Sequence, residues 1–363
     1  MFSNDDLDQA VAAGAISADV AAALRAHLDA NSGLPAVDEE QFRLLTGFND
    51  IFVSIAAVIL LFSVGFIGQQ LGPTLSHGGP SPLAGLLVAA TAWGLALFFT
   101  AKRRMALPSI ILLLAFVGGL FAAGAFLGAL LVGENEGNNG PVVVAMIGAG
   151  SAALAAVGAW FHWRRFHVPI TVAAGAAAVA GFLFSLLATA VPESPAKSDL
   201  LLGLVLLLGV GMFLLAMRWD SSDPTRVTRR SDVAFWLHLL AAPMIVHPVF
   251  ALLGLTNGTA SIGEALIVVA LYIALGVTAL AIDRRALLVS ALAYVLFALS
   301  SLFRQFGAVE LNIALTALVI GSALLLLSAF WHQARRMVVG PLPDGIRRFL
   351  PTLDRPISPA PVA

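Results

Sequence analysis

The stretch Lys102-Arg103-Arg104-Met105-Ala106-Leu107-Pro108-Ser109 is a short charged stop between two long apolar runs. The second half of the chain repeats this order, with Asp283-Arg284-Arg285-Ala286-Leu287-Leu288-Val289-Ser290 between two further apolar runs. The run before each stop begins similarly, at Ser81-Pro82-Leu83-Ala84-Gly85 and at Ser261-Ile262-Gly263-Glu264. This recurrence predicts an internal duplication in a membrane protein, an architecture that often places a binding site between its halves.

The composition excludes an ordinary soluble protein. Hydrophobic residues make up 59% of the 363 residues and charged residues only 11%, whereas a soluble surface needs about a quarter of its residues charged. The chain has no cysteine, so a zinc site would need histidines and carboxylates alone. No nucleophile elbow, phosphate loop or metalloprotease helix is visible. We therefore expect no enzyme, no cofactor and no metal.

Apolar runs of sufficient length recur along the chain. A bilayer core needs about 20 apolar residues per helix. The sequence predicts an all-α polytopic transmembrane helix bundle of about ten spans, at residues 50–69, 83–101, 106–131, 141–160, 169–190, 199–217, 233–254, 262–281, 286–303 and 310–331.

The basic residues divide between the two ends of these spans. With both termini inside, all but Lys197 and Arg304 of the 20 lysines and arginines fall on the inner side. Basic loops resist translocation, so this bias predicts a multi-pass protein of the bacterial inner membrane with cytoplasmic termini. We interpret the run from Arg226 to Arg230 as an orientation signal that also meets anionic headgroups of the lipid bilayer.

The repeat extends beyond the two charged stops. Residues 48–52 pair loosely with 230–234, and residues 160–165 resemble 330–336. Spans 1–4 therefore match spans 7–10, as parallel four-helix repeats with spans 5 and 6 as a two-helix insert. The alternative is a chance likeness between apolar spans that end in paired arginines.

Three regions follow from these patterns. Residues 1–49 are a cytoplasmic helical module and linker, in which Gly14 suits the end of one helix and Ser17 can cap the next. Residues 50–331 form the transmembrane domain, and residues 332–363 form a cytoplasmic Pro-rich tail that is extended or disordered from Pro341 on. The N-terminal module has too small a core to stand alone, so we expect it to dock on the membrane domain or on a protein partner.

The N-terminal module also carries a family resemblance. The element Ala13-Gly14-Ala15-Ile16-Ser17-Ala18, followed by an alanine-rich helix and many spans, resembles the opening of an uncharacterised family of predicted multi-spanning bacterial inner-membrane proteins. The resemblance covers about a sixth of the chain. It implies a polytopic membrane protein and no particular activity.

The seventh span is the richest in polar groups. His238 lies about 9 Å and His247 about 22 Å past Asp232 along an ideal helix. Imidazole titrates near neutrality and can relay protons or bind a ligand. Pro243 and Pro248 each remove a backbone donor, so freed carbonyls become available. The alternative is that either histidine only hydrogen-bonds between helices.

Three further charged residues fall at the outer ends of the last spans. Arg304 breaks the charge rule and could pair with Glu264 or Glu310 in a polar vestibule near His247. The alternative is a solvated loop ion pair of little energetic value. The sequence does not choose one pocket for these groups.

Two hypotheses for function follow. The first is a transporter-like protein that binds or moves a small solute between the two repeats through a proline-broken seventh span. The second is a non-transporting scaffold or sensor that docks a partner through its N-terminal helices. A membrane enzyme that acts on lipid ranks third, and nucleic-acid binding is not expected because no basic domain stands clear of the membrane.

Overall fold

The computed structural model describes residues 7, 10–31, 48–74, 79–133, 140–191, 194, 196–224, 226, 228–254, 262–305 and 311–353. Every regular element in these residues is helical. The chain divides into two compact units, one of Met1–Arg43 with Asp354–Ala363 and one of Leu44–Leu353.

The smaller unit contains helix α1 (Ala18–Asn31). The backbone N–H of Val20 donates to Ser17 Oγ at 3.3 Å, which satisfies one of the free amides in the first turn. Helical residues 10–12 precede α1, and Gly14 follows them with φ of +69°. Both sequence signals for this helix pair, the cap at Ser17 and the glycine stop, are therefore present in the structure.

The larger unit contains twelve helices within its described residues. They are α2 (Phe48–Leu71), α3 (Pro82–Phe99), α4 (Ala106–Val132), α5 (Pro141–Phe166), α6 (Ile170–Ala190), α7 (Lys197–Ser221), α8 (Arg229–Leu252), α9 (Ile262–Ile282), α10 (Ala286–Gln305), α11 (Asn312–Ala329), α12 (Trp331–Val339) and α13 (Asp344–Arg347). Each of the ten predicted spans coincides with one of the helices α2–α11.

Eight of these helices, α2–α9, are long and apolar enough to cross a membrane. Residues 313–329 and 331–339 pass the same criteria only as a pair, bent by 76° at the break between α11 and α12. The apolar part of α10, Leu287–Ser300, is shorter. The described residues therefore have the helices of a multi-pass membrane protein, with eight spans by this measure or nine if the bent pair is one span.

The ends of the helices follow from local chemistry. Pro82 occupies the first turn of α3, and Ser81 Oγ accepts a hydrogen bond from the Leu83 amide at 3.3 Å. Helix α9 ends at Ile282, and the next residue, Asp283, is left-handed with φ of 56°. Such a conformation ends a helix because its backbone cannot continue the right-handed ladder.

Small residues let the first helices approach closely. A Cβ on Gly85 of α3 would lie 2.6 Å from the carbonyl oxygen of Gly119 in α4 and 2.5 Å from the amide nitrogen of Ala123. On α4, Gly124 and Gly128 also lie against α5, where an added Cβ would meet Ser151 and the side chain of Ile147. Helices in lipid associate through this kind of van der Waals contact, since lipid tails give no hydrophobic drive.

Helix α8 lies at the centre of the second half. It packs against α6, α7 and α10, and more of it is buried than of any other membrane-length helix in the described residues. Its side chains Val233, Leu237 and Ala241 join one apolar cluster, and Val246 and Phe250 join another.

The two prolines do not interrupt α8, which is continuous from Arg229 to Leu252. The Met244 carbonyl, which has no amide partner because residue 248 is a proline, is covered by α7. A Cβ on Gly209 would lie 2.8 Å from the carbon and oxygen of that carbonyl. The broken seventh span of the transport hypothesis is therefore absent, and the backbone of α7 lies close against this carbonyl.

The segment after α12 is also different from the sequence-based expectation. Leu350 is buried, and Leu342 and Leu353 pack with Trp331 and Val339 in one apolar cluster. The predicted extended tail from Pro341 is therefore wrong as far as residue 353, because the leucines between its prolines supply apolar contacts. Residues 354–363 lie outside the described part of the chain.

Candidate functional site

Asp220 is the centre of a buried group of charges at the arginine-bearing ends of α7–α10. It lies in the last turn of α7 and is only 2% exposed. Its carboxylate accepts hydrogen bonds from Arg284 Nη2 at 2.6 Å and from Arg284 Nε at 3.3 Å. It also faces His238 Nε2 of α8 at 3.1 Å. One carboxylate thus joins α7, α8 and the connection between α9 and α10.

Asp283 is the second carboxylate of this group. Arg226 Nη1 donates to its Oδ2 at 2.8 Å, and the indole Nε1 of Trp331 donates to its Oδ1 at 2.7 Å. Arg226 Nη2 also donates to the carbonyl oxygens of Ile282 and Asp283 at 3.0 and 3.2 Å. Asp283 therefore ties the loop after α7 and the first residue of α12 to the end of α9.

Arginines connect the two carboxylates. Arg226 Nε lies 4.0 Å from Asp220 Oδ1, and Arg335 Nε lies 3.9 Å from Asp283 Oδ1. The two η-nitrogens of Arg335 donate to the carbonyl oxygens of Thr352 and Pro351, at 3.0 and 2.6 Å. We call the six residues Asp220, Arg226, His238, Asp283, Arg284 and Arg335 the ion cluster.

All six members of the ion cluster are buried, with exposed fractions between 1% and 9%. The transfer of such charges out of water costs several kcal/mol per ion and is offset only by excellent geometry and further hydrogen bonds. Two members, Arg226 and Asp283, also adopt left-handed φ values of 56°, which is unfavourable for residues other than glycine. The surrounding contacts therefore impose this arrangement against a local cost.

His238 has a distinct chemical state in the ion cluster. An ionised carboxylate only accepts, so His238 Nε2 carries the proton of the contact with Asp220. Nδ1 then bears a lone pair, and it has no hydrogen-bond partner among the described residues. The ring of Phe213 packs against the imidazole edge at 5.2 Å. The imidazole can therefore take up one further proton at Nδ1 without loss of its bond to Asp220.

His247, the other histidine of the seventh span, lies outside the ion cluster. It is exposed on the surface of α8, and its Nδ1 hydrogen-bonds with the hydroxyl of Tyr294 in α10 at 2.5 Å. His238 and His247 therefore lie in different surroundings on α8. Glu264 is half-buried in the first turn of α9.

The predicted polar vestibule depends on Arg304 and Glu310. The side chain of Arg304 and the whole of Glu310 lie outside the described residues. A pocket that joins them to Glu264 and His247 therefore stays a prediction.

Sequence reasoning missed most of the ion cluster. It assigned Arg226, Arg284 and Arg335 to the inner ends as orientation signals, and the structure buries all three against aspartates or carbonyls. One signal was available in the sequence. Asp220 and Asp283 lie among arginines at inner helix ends. An aspartate does not help to keep a loop on the cytosolic side of a membrane, so these two residues needed another explanation.

A second buried histidine lies in the first half of the larger unit. His162 of α5 is fully buried, with Nδ1 3.1 Å from Thr171 Oγ1 of α6. The rings of Trp93, Phe116 and Phe166 surround it at 4.6 to 6.1 Å between centroids. It has no carboxylate among these neighbours, so the Asp–His pair distinguishes His238.

The described residues contain no group of three or more histidines, aspartates and glutamates placed to hold a metal ion. No family model matches the chain, and neither the curated proteins nor the solved structures contain a match.

Proposed function

We propose that this chain is a transporter-like membrane protein that binds a proton at the Asp220–His238 pair and couples it to the movement of a small solute. The observation that carries the proposal is the buried contact of 3.1 Å between these side chains inside an apolar helical bundle. Ionisable groups within membrane helices are expensive, and they commonly mark proton relays or substrate paths.

The contacts around Asp220 give the proton a structural consequence. A proton on His238 Nδ1 creates a second cation beside the guanidinium of Arg284, and both then depend on one carboxylate. Their repulsion weakens the bonds from Arg284 to Asp220. Because Arg284 also donates to the Ser231 carbonyl at 3.1 Å, its release loosens the connection between α9 and α10 from the start of α8. Protonation thereby biases an interface that can repack.

In this proposal the ion cluster lies on the cytosolic side of a bacterial inner membrane. The arginine-rich connections and both termini share that side, as the positive-inside rule requires. The chain crosses the membrane ten times, so α10 and the bent α11–α12 pair count as the last two spans.

The solute path lies between two parallel four-helix repeats, α2–α5 and α8–α11, with α6 and α7 as the insert. Helix contacts support this duplication. The third helix of the first set, α4, packs on α2, α3 and α5, and the third of the second set, α10, packs on α8, α9 and α11.

Proton movement gives a direct test when a mixture of small solutes is supplied outside the vesicles, because a coupled carrier moves its proton only together with its solute. The full chain is reconstituted into vesicles with an internal pH-sensitive dye, and a potassium diffusion potential drives proton entry. We expect entry above that of empty vesicles, and we expect His238→Gln to reduce it to the empty-vesicle rate. His332→Gln is the control, because His332 is an exposed histidine of α12.

An unchanged rate in the His238→Gln vesicles removes this histidine from the mechanism. A wild-type rate equal to that of empty vesicles contradicts the proton step itself.

A scaffold or sensor is the second candidate, and one observation favours it. Val246 and Phe250, which lie near His247 in α8, are fully buried against Val268, Ala291 and Val295. A packed core at this point favours a scaffold over a solute path.

If the chain is a scaffold, deletion of residues 1–33 should abolish the binding of one reproducible partner in cross-linked native membranes, while membrane insertion is kept. The resemblance of the N-terminal element to an uncharacterised membrane-protein family stays a prediction under either candidate.

A further inference from the structure

An apolar groove with a volume of about 130 Å³ opens between α10 and α11. Its walls are leucines of both helices, with Arg285 and Trp331 at one end; the leucines are Leu288, Leu292, Leu324 and Leu327. Leu288 and Leu292 lie one turn apart, so the groove follows α10 for at least about 6 Å. Its length and lining suit a hydrocarbon chain that lies along the helices.

A cation is held at the end of this groove. Arg285 is exposed, and its guanidinium carbon lies 4.8 Å from the centroid of the Trp331 ring. Trp331 is itself fixed, because its Nε1 donates to Asp283 of the ion cluster at 2.7 Å. Stacking on an aromatic face leaves the N–H edges of a guanidinium free to donate to another group. The ring therefore presents Arg285 at the mouth of the groove.

We propose that this groove binds an anionic phospholipid, with an acyl chain along the leucines and the phosphate on Arg285. Three features agree on this ligand: an apolar slot, one cation at its end and a tryptophan at the arginine-bearing ends of the helices, where headgroups lie. A planar guanidinium can donate to two phosphate oxygens at once. In a zwitterionic phosphatidylcholine, the positive choline group partly screens the phosphate charge from the guanidinium. This site does not depend on whether the chain moves a solute.

Native mass spectrometry of the full chain in detergent, with added phosphatidylglycerol or phosphatidylcholine, tests the site. We expect tighter binding of phosphatidylglycerol, and a loss of about fivefold in its affinity in Arg285→Gln, since one basic residue near an anionic surface contributes about that factor. Phosphatidylcholine binding should not change. Arg285→Lys keeps a charge for the phosphate and should retain most of the preference.

Arg103→Gln is the matched control. Arg103 is an exposed arginine of the first charged stop, and its guanidinium carbon lies 5.5 Å over the ring of Phe98. An equal loss in Arg103→Gln would reveal general surface charge, and equal binding of the two lipids in the wild type would reveal ordinary boundary lipid. Either result overturns the proposal.

Two other outcomes also overturn it. A loss in Arg285→Lys as large as in Arg285→Gln would mean that Arg285 acts only through its packing on Trp331. A dimer mass without lipid that disappears in Ser328→Phe, which fills the groove, would assign the groove to a second copy of this chain.

Discussion

Replacement of Asp220 by asparagine should destabilise the folded chain far more than its small change in shape suggests. The substitution keeps one carbonyl oxygen but removes the negative charge. Arg284 donates to this side chain at 2.6 and 3.3 Å, and His238 faces it at 3.1 Å. All three side chains are nearly inaccessible to solvent, so water cannot replace the lost carboxylate.

The magnitude follows from this burial. Removal of one partner of a buried ion pair leaves an uncompensated charge and costs about 3–5 kcal/mol. The intact pair contributes less than this to the net stability of the folded protein, because its attraction is offset by the cost of removing Arg284 and Asp220 from water. The loss equals a decrease of roughly two to four orders of magnitude in the folding equilibrium constant, at a factor of ten for about 1.4 kcal/mol.

Unfolding in mixed micelles with increasing sodium dodecyl sulfate measures the difference. Asp344→Asn is the matched control, since Asp344 is 99% exposed and lies 3.5 Å from Arg347. The control should not move the midpoint measurably, because exposed pairs are screened by solvent. Equal midpoints for Asp220→Asn and Asp344→Asn would refute the inference that the ion cluster is sealed from water.

A second substitution separates charge from packing. Arg284→Met in the Asp220→Asn background removes the stranded guanidinium, so it should recover part of the lost stability. Additive losses from the two substitutions would show that the two side chains do not act as a pair.

Three further results are expected. Gly85→Ala should destabilise the chain by about 1–3 kcal/mol in the same unfolding assay, because its Cβ would meet the α4 backbone at 2.5 Å. Gly94→Ala in the same helix has open space around its Cβ and should be neutral. Equal losses in the two variants would contradict the close packing of α3 on α4. Arg335→Met should free the segment up to residue 353, which limited proteolysis would detect as faster cleavage after α12; an unchanged cleavage rate would mean that the leucine contacts alone hold it. In this cysteine-free chain, Gly133→Cys should react with an impermeant maleimide from outside the cell and Lys102→Cys only from the cytosol; the reverse pattern would invert the proposed orientation.

The length and position of the apolar runs predicted the helices α2–α11 well. In lipid no water can bond to the backbone, so each run has to satisfy its own backbone hydrogen bonds as a helix. Local signals worked for the same reason. The cap of Ser17 on α1 and the glycine stop at Gly14 act within a few residues, so no distant contact was needed to infer them.

The site was harder to predict, because the ion cluster joins residues that are far apart in sequence. Arg284 and Asp220 are separated by 64 positions, and a loop arginine and a buried arginine look alike in one sequence. The two histidines of the seventh span also look alike in the sequence. In the structure His238 faces the aspartate of α7, whereas His247 lies on the outer surface of α8.

What the sequence alone determined is the class of protein: a chain that is mostly apolar, with basic residues gathered at alternate helix ends, can only hide its backbone in helices. What tertiary structure decided is the use of each charge. Arg226, Arg284 and Arg335 end inside the protein because the ends of α7, α8, α9 and α12 converge on two aspartates. Burial and partner choice depend on which helix ends meet, and packing between helices sets that outcome.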